Sequence, residues 1–220
     1  MQLTLFNGSP RGAKSNTSLL LEPFTDGFIQ HSGQSVDLFY LIQRKQLQKH
    51  VERFRDSDAV IIAFPLYTDA MPGIVKEFIE ALQPLCGNPD NPLLGFIVQS
   101  GFPEPLHSRY IERYLKKLTI RLQCIYIGTA VRGGVEGIQA MPPVMSRKLL
   151  NRFRELGYDF AQHRKFNPDI LKKLAPHEKL PFMRLQVFKL MQKTGFADFY
   201  WNKQLKAHHA FDKRFDQPFR

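Results

Sequence analysis

The sequence predicts an α/β fold, a doubly wound parallel sheet with a helical extension behind it. Three observations predict this. Short runs rich in branched and aromatic residues recur through residues 3–127, helical apolar stripes fill most of the intervals between them, and the most apolar run, 59–64, lacks the alternation of a half-exposed strand. A continuous apolar strand suits a sheet covered on both faces, and right-handed crossovers with covering helices produce such a sheet.

The expected strands are 3–6, 36–40, 60–64, 96–99 and 124–127. A helix is expected over 16–31, with Pro23 and Gly27 interrupting it. The stretch 43–54 reads as a polar link carrying a modest rhythm at Leu47, Val51 and Phe54. Val75, Phe78, Ile79 and Leu82 form a stripe after Pro72, placed as the first helical residue, and Ile111, Tyr114, Leu115, Leu118 and Leu122 form another after Pro105. Beyond Met141, Leu149, Phe153, Leu156 and Phe160 line one face of what should be the last helix of the sheet domain.

Asn167 and Pro168 then break the chain, which divides it into a sheet domain, 1–166, and a basic, aromatic-rich helical extension, 167–220. Within the extension, 181–193 reads as a helix whose polar stripe is Gln186, Lys189 and Lys193, with Phe182, Met183, Leu185, Val187, Phe188, Leu190 and Met191 around the remainder. Such a helix wants cover, from its own domain, a second subunit or a membrane interface, in that order of expectation.

Charge follows the same division. Of 31 Lys and Arg and 20 Asp and Glu, residues 1–146 hold 14 and 13, while 147–220 hold 17 and 7, a net +1 against +10. An excess of that kind suits an anionic partner, although interspersed acids and ten phenylalanines also suit a solvated face over a packed aromatic one. No nucleic-acid reading motif accompanies it, so nucleic acid is not the expected partner. Cys86 and Cys124 form no C-x-x-C pair, which argues against a disulfide framework, a metal site or a thiol redox motif. No apolar run is long enough to span a bilayer, and residues 1–7 lack the basic and apolar regions of a secretory leader; a cytoplasmic location is expected.

The segment after the first strand, Asn7-Gly8-Ser9-Pro10-Arg11-Gly12-Ala13-Lys14-Ser15-Asn16-Thr17, leads into a helical stretch. Its glycines permit tight turns, its hydroxyls can donate to phosphate oxygens, and Arg11 and Lys14 supply positive charge. With the N–H groups of a helix start these make an anion cradle; the same residues also suit an ordinary capped turn. The loop is neither G-x-G-x-x-G nor a loop ending in G-K-[ST], so nucleoside triphosphate hydrolysis is disfavoured.

Gly8-Ser9-Pro10-Arg11 with Ser15-Asn16-Thr17, then Pro65-Leu66-Tyr67 and Met71-Pro72-Gly73, Ser100-Gly101-Phe102-Pro103-Glu104, and Gly128 with Gly133-Gly134, together resemble the flavodoxin-like NAD(P)H-dependent FMN reductase and quinone reductase family. The resemblance covers roughly residues 1–140, and each loop leaves the carboxyl end of an expected strand, where open α/β sheets bind ligands. It implies a flavodoxin-like five-stranded parallel sheet of order 2-1-3-4-5. It also implies FMN as cofactor, with Ser9, Arg11, Ser15, Asn16 and Thr17 on its phosphate, Pro65, Leu66, Tyr67 and Thr68 beside its ring, and Ser100, Gly101 and Phe102 on the ring's other side.

The implied activity passes electrons from NAD(P)H, the co-substrate, to a small acceptor such as a quinone, a flavin or a nitro compound; apart from the resemblance, a homodimer or larger homo-oligomer is expected, because soluble oligomers are common and a second subunit could cover the extension. No side chain is assigned a catalytic role, because the flavin performs the chemistry. Arg132 and His107 stay outside the set, since an arginine in a glycine-rich loop and a histidine opening a helix are ordinarily solvated. Residues 43–56 hold no cysteine, unlike relatives with an iron–sulfur cluster in that link. The alternatives are an electron carrier without nicotinamide activity, disfavoured by the nearly neutral sheet domain, and a binding module that uses the basic extension on an anionic or membrane surface.

Overall fold

Period-two alternation in the central strands decides the layering. In β3 (Ala59–Pro65), Ala59, Ile61 and Ala63 join one buried cluster while Val60, Ile62 and Phe64 join another on the opposite face. With β1 (Leu3–Asn7), β2 (Val36–Tyr40), β4 (Leu93–Gln99) and β5 (Ile125–Arg132) it forms an all-parallel sheet of order β2-β1-β3-β4-β5. This computed structural model describes residues 1–175, 177–179, 181–194 and 198–217, without the side chains of Arg184, Phe188 and Tyr200. The predicted environment of Phe188 therefore lies outside the described residues. The chain divides into two units, Met1–Glu178 and Lys179–Arg220.

Helices cover both faces of the sheet. Leu20, Leu21, Phe24 and Phe28 of α1 (Asn16–Ser32) and Phe153, Leu156 and Phe160 of α5 (Pro143–His163) pack on one side. On the other lie Val51 and Phe54 of α2 (Leu47–Arg55), Val75, Phe78 and Ile79 of α3 (Gly73–Ala81), and Ile111 and Leu115 of α4 (Leu106–Arg121). Every β-to-α loop therefore opens at one crest, the carboxyl end of the strands.

Four expectations need correction. α1 runs unbroken through Pro23 and Gly27, and both residues are buried within it. Gly27 is there for contact rather than for a turn: a methyl on it would land on the carbonyl of Arg154 in α5, and one on Gly157 would land on the carbonyl of Phe24, so the two helices cross with their backbones touching. The link at 43–54 holds a helix, α2, because Val51 and Phe54 bury with His50 at helical spacing. Pro72 is the residue before α3 rather than its first. Finally, Asn167 and Pro168 start an element instead of breaking the chain: Asn167 Oδ1 accepts from Asp169 N–H at 2.9 Å, and Pro168 opens α6 (Pro168–Leu174). Ile170 and Leu174 enter the core, which carries the first unit to Glu178, past the expected 166.

In the second unit, α7 (Phe182–Lys193) and α8 (Phe199–Ala207) are the helices among the described residues. Arg214 and Lys206 sit over the Phe211 ring, at 3.9 and 4.9 Å from its centroid, and Arg214 also approaches the Phe215 ring.

Candidate functional site

The crest is organised by a polar residue at the end of an apolar strand. Asn7 is fully buried. Its Oδ1 accepts from the N–H of Ser9 at 2.9 Å, and its Nδ2 donates to Ser15 Oγ at 3.2 Å and Ser18 Oγ at 2.8 Å, so one amide ties the loop's beginning to its end. The Gly8 N–H donates to Ala63 O at 2.7 Å, fastening the loop to β3, and a methyl on Gly8 would run into the Val75 side chain. Gly12 takes φ +56°, the left-handed region that suits glycine, and closes the turn by donating to Ser9 O at 3.0 Å.

Ser15 caps α1, its Oγ accepting from Ser18 N–H at 3.1 Å. That leaves the N–H groups of Asn16 and Thr17, the first two helical residues, without an intrahelical acceptor at the positive end of the helix dipole. Around them the hydroxyls of Ser9, Ser15 and Thr17 are all buried. The side chain of Asn16 is committed elsewhere: its Nδ2 donates to Val135 O at 3.1 Å and Glu136 O at 3.2 Å, and its Oδ1 accepts from Gln139 at 2.8 Å. Arg11 is half-exposed and pairs with the Glu136 carboxylate at 3.0 Å.

The second loop begins at Pro65, in register with Gln99 of β4. Leu66 is buried and donates its N–H to Gln99 O at 2.7 Å, while Tyr67 and Ala70 exchange two backbone hydrogen bonds of 3.0 and 3.2 Å around a tight turn. In that turn Thr68 takes φ +55°, and Tyr67 keeps 48% of its surface open. In the third loop, Ser100 is buried, donates its N–H to Arg132 O at 3.0 Å, accepts from Val135 N–H at 2.9 Å, and takes a 3.0 Å hydrogen bond from Ser108 on its Oγ. The Phe102 carbonyl accepts from Gly134 N–H at 2.7 Å, and its ring tilts against His107 at 5.1 Å. A cleft of about 380 Å³ opens beyond the Tyr67 turn, between Met71, Lys76, Tyr110, Ile111 and Tyr114.

All twelve predicted residues thus stand on the one crest, and residues not foreseen tie them together. Gln99 joins three elements, taking Leu66 on its carbonyl and reaching Thr17 Oγ1 with its amide at 3.5 Å. Glu136 holds Arg11 by its carboxylate and Asn16 by its carbonyl, and its Cβ lies 3.3 Å from where a methyl on Gly101 would stand. Asn7 and Gln99 carried a signal, a buried polar residue ending an apolar strand; Glu136 and Gln139 carried none. Arg132 donates to the Leu174 carbonyl at 2.9 Å, closing the end of α6, and His107 sits 3.4 Å from Glu104.

At the rim, Arg109 pairs with Glu112 at 2.6 Å and Glu178 at 2.9 Å. Burial opposes its charge, but the hydrogen bonds that it donates to Glu178 and Glu112 win and hold its pKa above the ordinary value.

Residues 1–83 match the sequence profile of a family described as flavodoxin-like fold. Among solved structures, the chain is similar to the NADPH-quinone reductase of P. pentosaceus (17% identity, TM-score 0.54, covering 70% of this chain and 96% of that one). It is similar to the NAD(P)H:quinone oxidoreductase of Methanothermobacter marburgensis (16%, 0.60, 76% and 99%) and to an FMN-dependent NADH-azoreductase of Bacillus anthracis solved with FMN (11%, 0.56, 73% and 100%). No curated protein matches the chain. The fold is flavodoxin-like, with the strand order that the resemblance implied.

Proposed function

We propose that the chain is an FMN-dependent oxidoreductase, passing electrons from NAD(P)H to a small acceptor such as a quinone, a flavin or a nitro compound. The observation that carries this reading is the start of α1, where the N–H groups of Asn16 and Thr17 have no intrahelical acceptor and Ser9, Ser15 and Thr17 supply hydroxyls in the same loop-to-helix segment, beside the crevice between the β1 and β3 loops. In a sheet of order 2-1-3-4-5 that crevice is the switch point, where the connections leave in opposite directions. The names of the neighbouring structures support the same chemistry.

The residues present fit FMN. A phosphate needs donors, and Ser9, Ser15 and Thr17 offer hydroxyls while Asn16 and Thr17 offer backbone N–H groups at a helix start. Arg11 supplies the positive charge and, held by Glu136, keeps the β1 and β5 loops together. The Asn16 side chain serves as a strut rather than a phosphate ligand. Tyr67 offers an open aromatic for the ring, on the turn that Pro65, Leu66 and Thr68 shape, and Ser100, Gly101 and Phe102 belong to the loop locked to the β5 loop and would stand on the ring's other side.

When bound, FMN supplies hydride and single-electron chemistry; the protein holds it, orients NAD(P)H and the acceptor, and limits water at the ring. Met71, Tyr110 and Tyr114 give a flat acceptor an aromatic cleft beside that face. The reading includes a cytoplasmic location and a homo-oligomer.

The test is direct. The purified protein should carry or take up FMN and oxidise NADPH or NADH with ping-pong kinetics on a quinone and nitroaromatic panel; a protein that stays colourless with added FMN and oxidises neither nucleotide overturns the reading. Arg11→Ala should weaken FMN binding by about 1.5–3 kcal/mol, the worth of a charged hydrogen bond. Unchanged affinity in a flavin titration removes Arg11 from the phosphate site.

A further inference from the structure

We propose that residues 179–217 seat the protein on an anionic lipid bilayer. Residues 179–220 hold nine Lys and Arg against three Asp, a net +6 in the smaller unit. The same unit exposes apolar surface that charge alone does not explain. Met183, Val187 and Leu190 stand at i, i+4 and i+7 on α7, one stripe of the helix, and are 74%, 55% and 63% exposed. Phe182, Phe199, Trp201 and Phe215 are also exposed.

A stripe of aliphatic residues with lysines beside it and aromatics nearby fits the boundary between headgroups and acyl chains, where both kinds of surface find a partner. At 12 residues, α7 is far too short to cross a bilayer, and among the described residues no helix is long and apolar enough to do so, so α7 would lie in the plane of the surface. A second copy would bring two +6 surfaces together, and a nucleic acid would reward the lysines but leave Met183, Val187 and Leu190 in water. The cytoplasmic leaflet, with its negative surface potential, answers both features.

Trp201 is the only tryptophan of the chain and lies within this unit, so it reports on the surface directly. The full-length protein should sediment with phosphatidylcholine–phosphatidylserine vesicles at low salt, remain in solution with pure phosphatidylcholine, and shift its tryptophan emission to the blue only with the former. High salt should release it. Lys189→Gln and Lys193→Gln should each lower partitioning about fivefold, the equivalent of about 1 kcal/mol per basic residue. A Met183→Ser, Val187→Ser, Leu190→Ser variant changes exposed positions only and should abolish the blue shift.

Absence of both sedimentation and shift at low salt overturns the proposal. So does binding to duplex DNA that survives the serine substitutions without vesicle binding, or dimerisation that they abolish without vesicle binding. None of these readouts needs bound flavin, so they fail or succeed independently of the proposed activity.

Discussion

His50 is the residue whose surroundings fit its chemistry least. It lies on α2 at 1% exposure, its ring centroid 5.8 Å from those of Phe6 and Phe39 and 6.4 Å from that of Phe78, and among the described residues neither ring nitrogen has a hydrogen-bond partner. Burial, with a smaller contribution from Lys49, holds its pKa below the ordinary value of 6.5. The sign follows. The folded state favours the neutral ring, so the unfolded chain binds the proton more readily, and stability present above pH 6.5 drains away as the pH falls below it. His50→Leu should remove that part of the dependence. Urea midpoints measured across about pH 5.5–7.5, bracketing the ordinary histidine value, check it; parallel curves for the two proteins would exclude His50 as the cause. Cys124 is buried on the same side of the sheet, and desolvation followed by the charge of Cys86 pushes its thiol up to about 12, so it is inert as a nucleophile.

At the scale of elements, α1 and α5 depend on two glycines that look like defects in the sequence. An alanine in a helix interior ordinarily gains about 0.5–1 kcal/mol over glycine. Here the added methyl meets the backbone of the facing helix, which cannot move aside without opening the layer. Gly157→Ala should therefore destabilise by about 1–3 kcal/mol, the usual range for overpacking. A urea midpoint that rises instead would show that the helices do not touch there. The same pair explains why α1 was hard to read: local rules treat Pro23 and Gly27 as breakers, whereas the helix is held by Phe24 and Phe28 packing on Phe160 across the layer, with ring centroids 6.2 and 6.1 Å apart. The central strands and α3, α4 and α5 were readable because most of their apolar residues bury as the pattern implies, although Tyr114, expected in the stripe of α4, stays exposed. α6 was misread because a capping Asn followed by Pro at the first helical position resembles a break until Ile170 and Leu174 are seen entering the core. In the site, the hydroxyls, the turn glycines and Tyr67 were readable as local chemistry. Glu136 and Gln139 were not, since their roles depend on partners such as Arg11 and Asn16, far away in sequence and adjacent only after the sheet is wound.

For the whole molecule, the important point is where the chain leaves its first unit. Glu178 is its last residue, and the start of α4 holds it twice: Leu106 N–H donates to its carbonyl at 3.2 Å, and Arg109 grips its carboxylate at 2.9 Å. α4 follows directly from the Ser100–Phe102 loop, the wall of the proposed flavin site. The exit is therefore at the crest, and α7 begins at Phe182. If the extension rests on lipid, the chain that continues from Glu178 keeps the first unit at the same membrane, and an acceptor dissolved in the bilayer is met at high local concentration rather than by diffusion from water. NADPH oxidation with a long-chain quinone in phosphatidylserine-containing vesicles should accordingly run faster than in neutral vesicles. Lys189→Gln with Lys193→Gln should erase that difference, while the rate on a short, water-soluble quinone stays as in the parent. Equal rates on both vesicle types, in a protein that sediments only with the anionic ones, would mean that docking places the enzyme without feeding it, and that its acceptor arrives from the aqueous side.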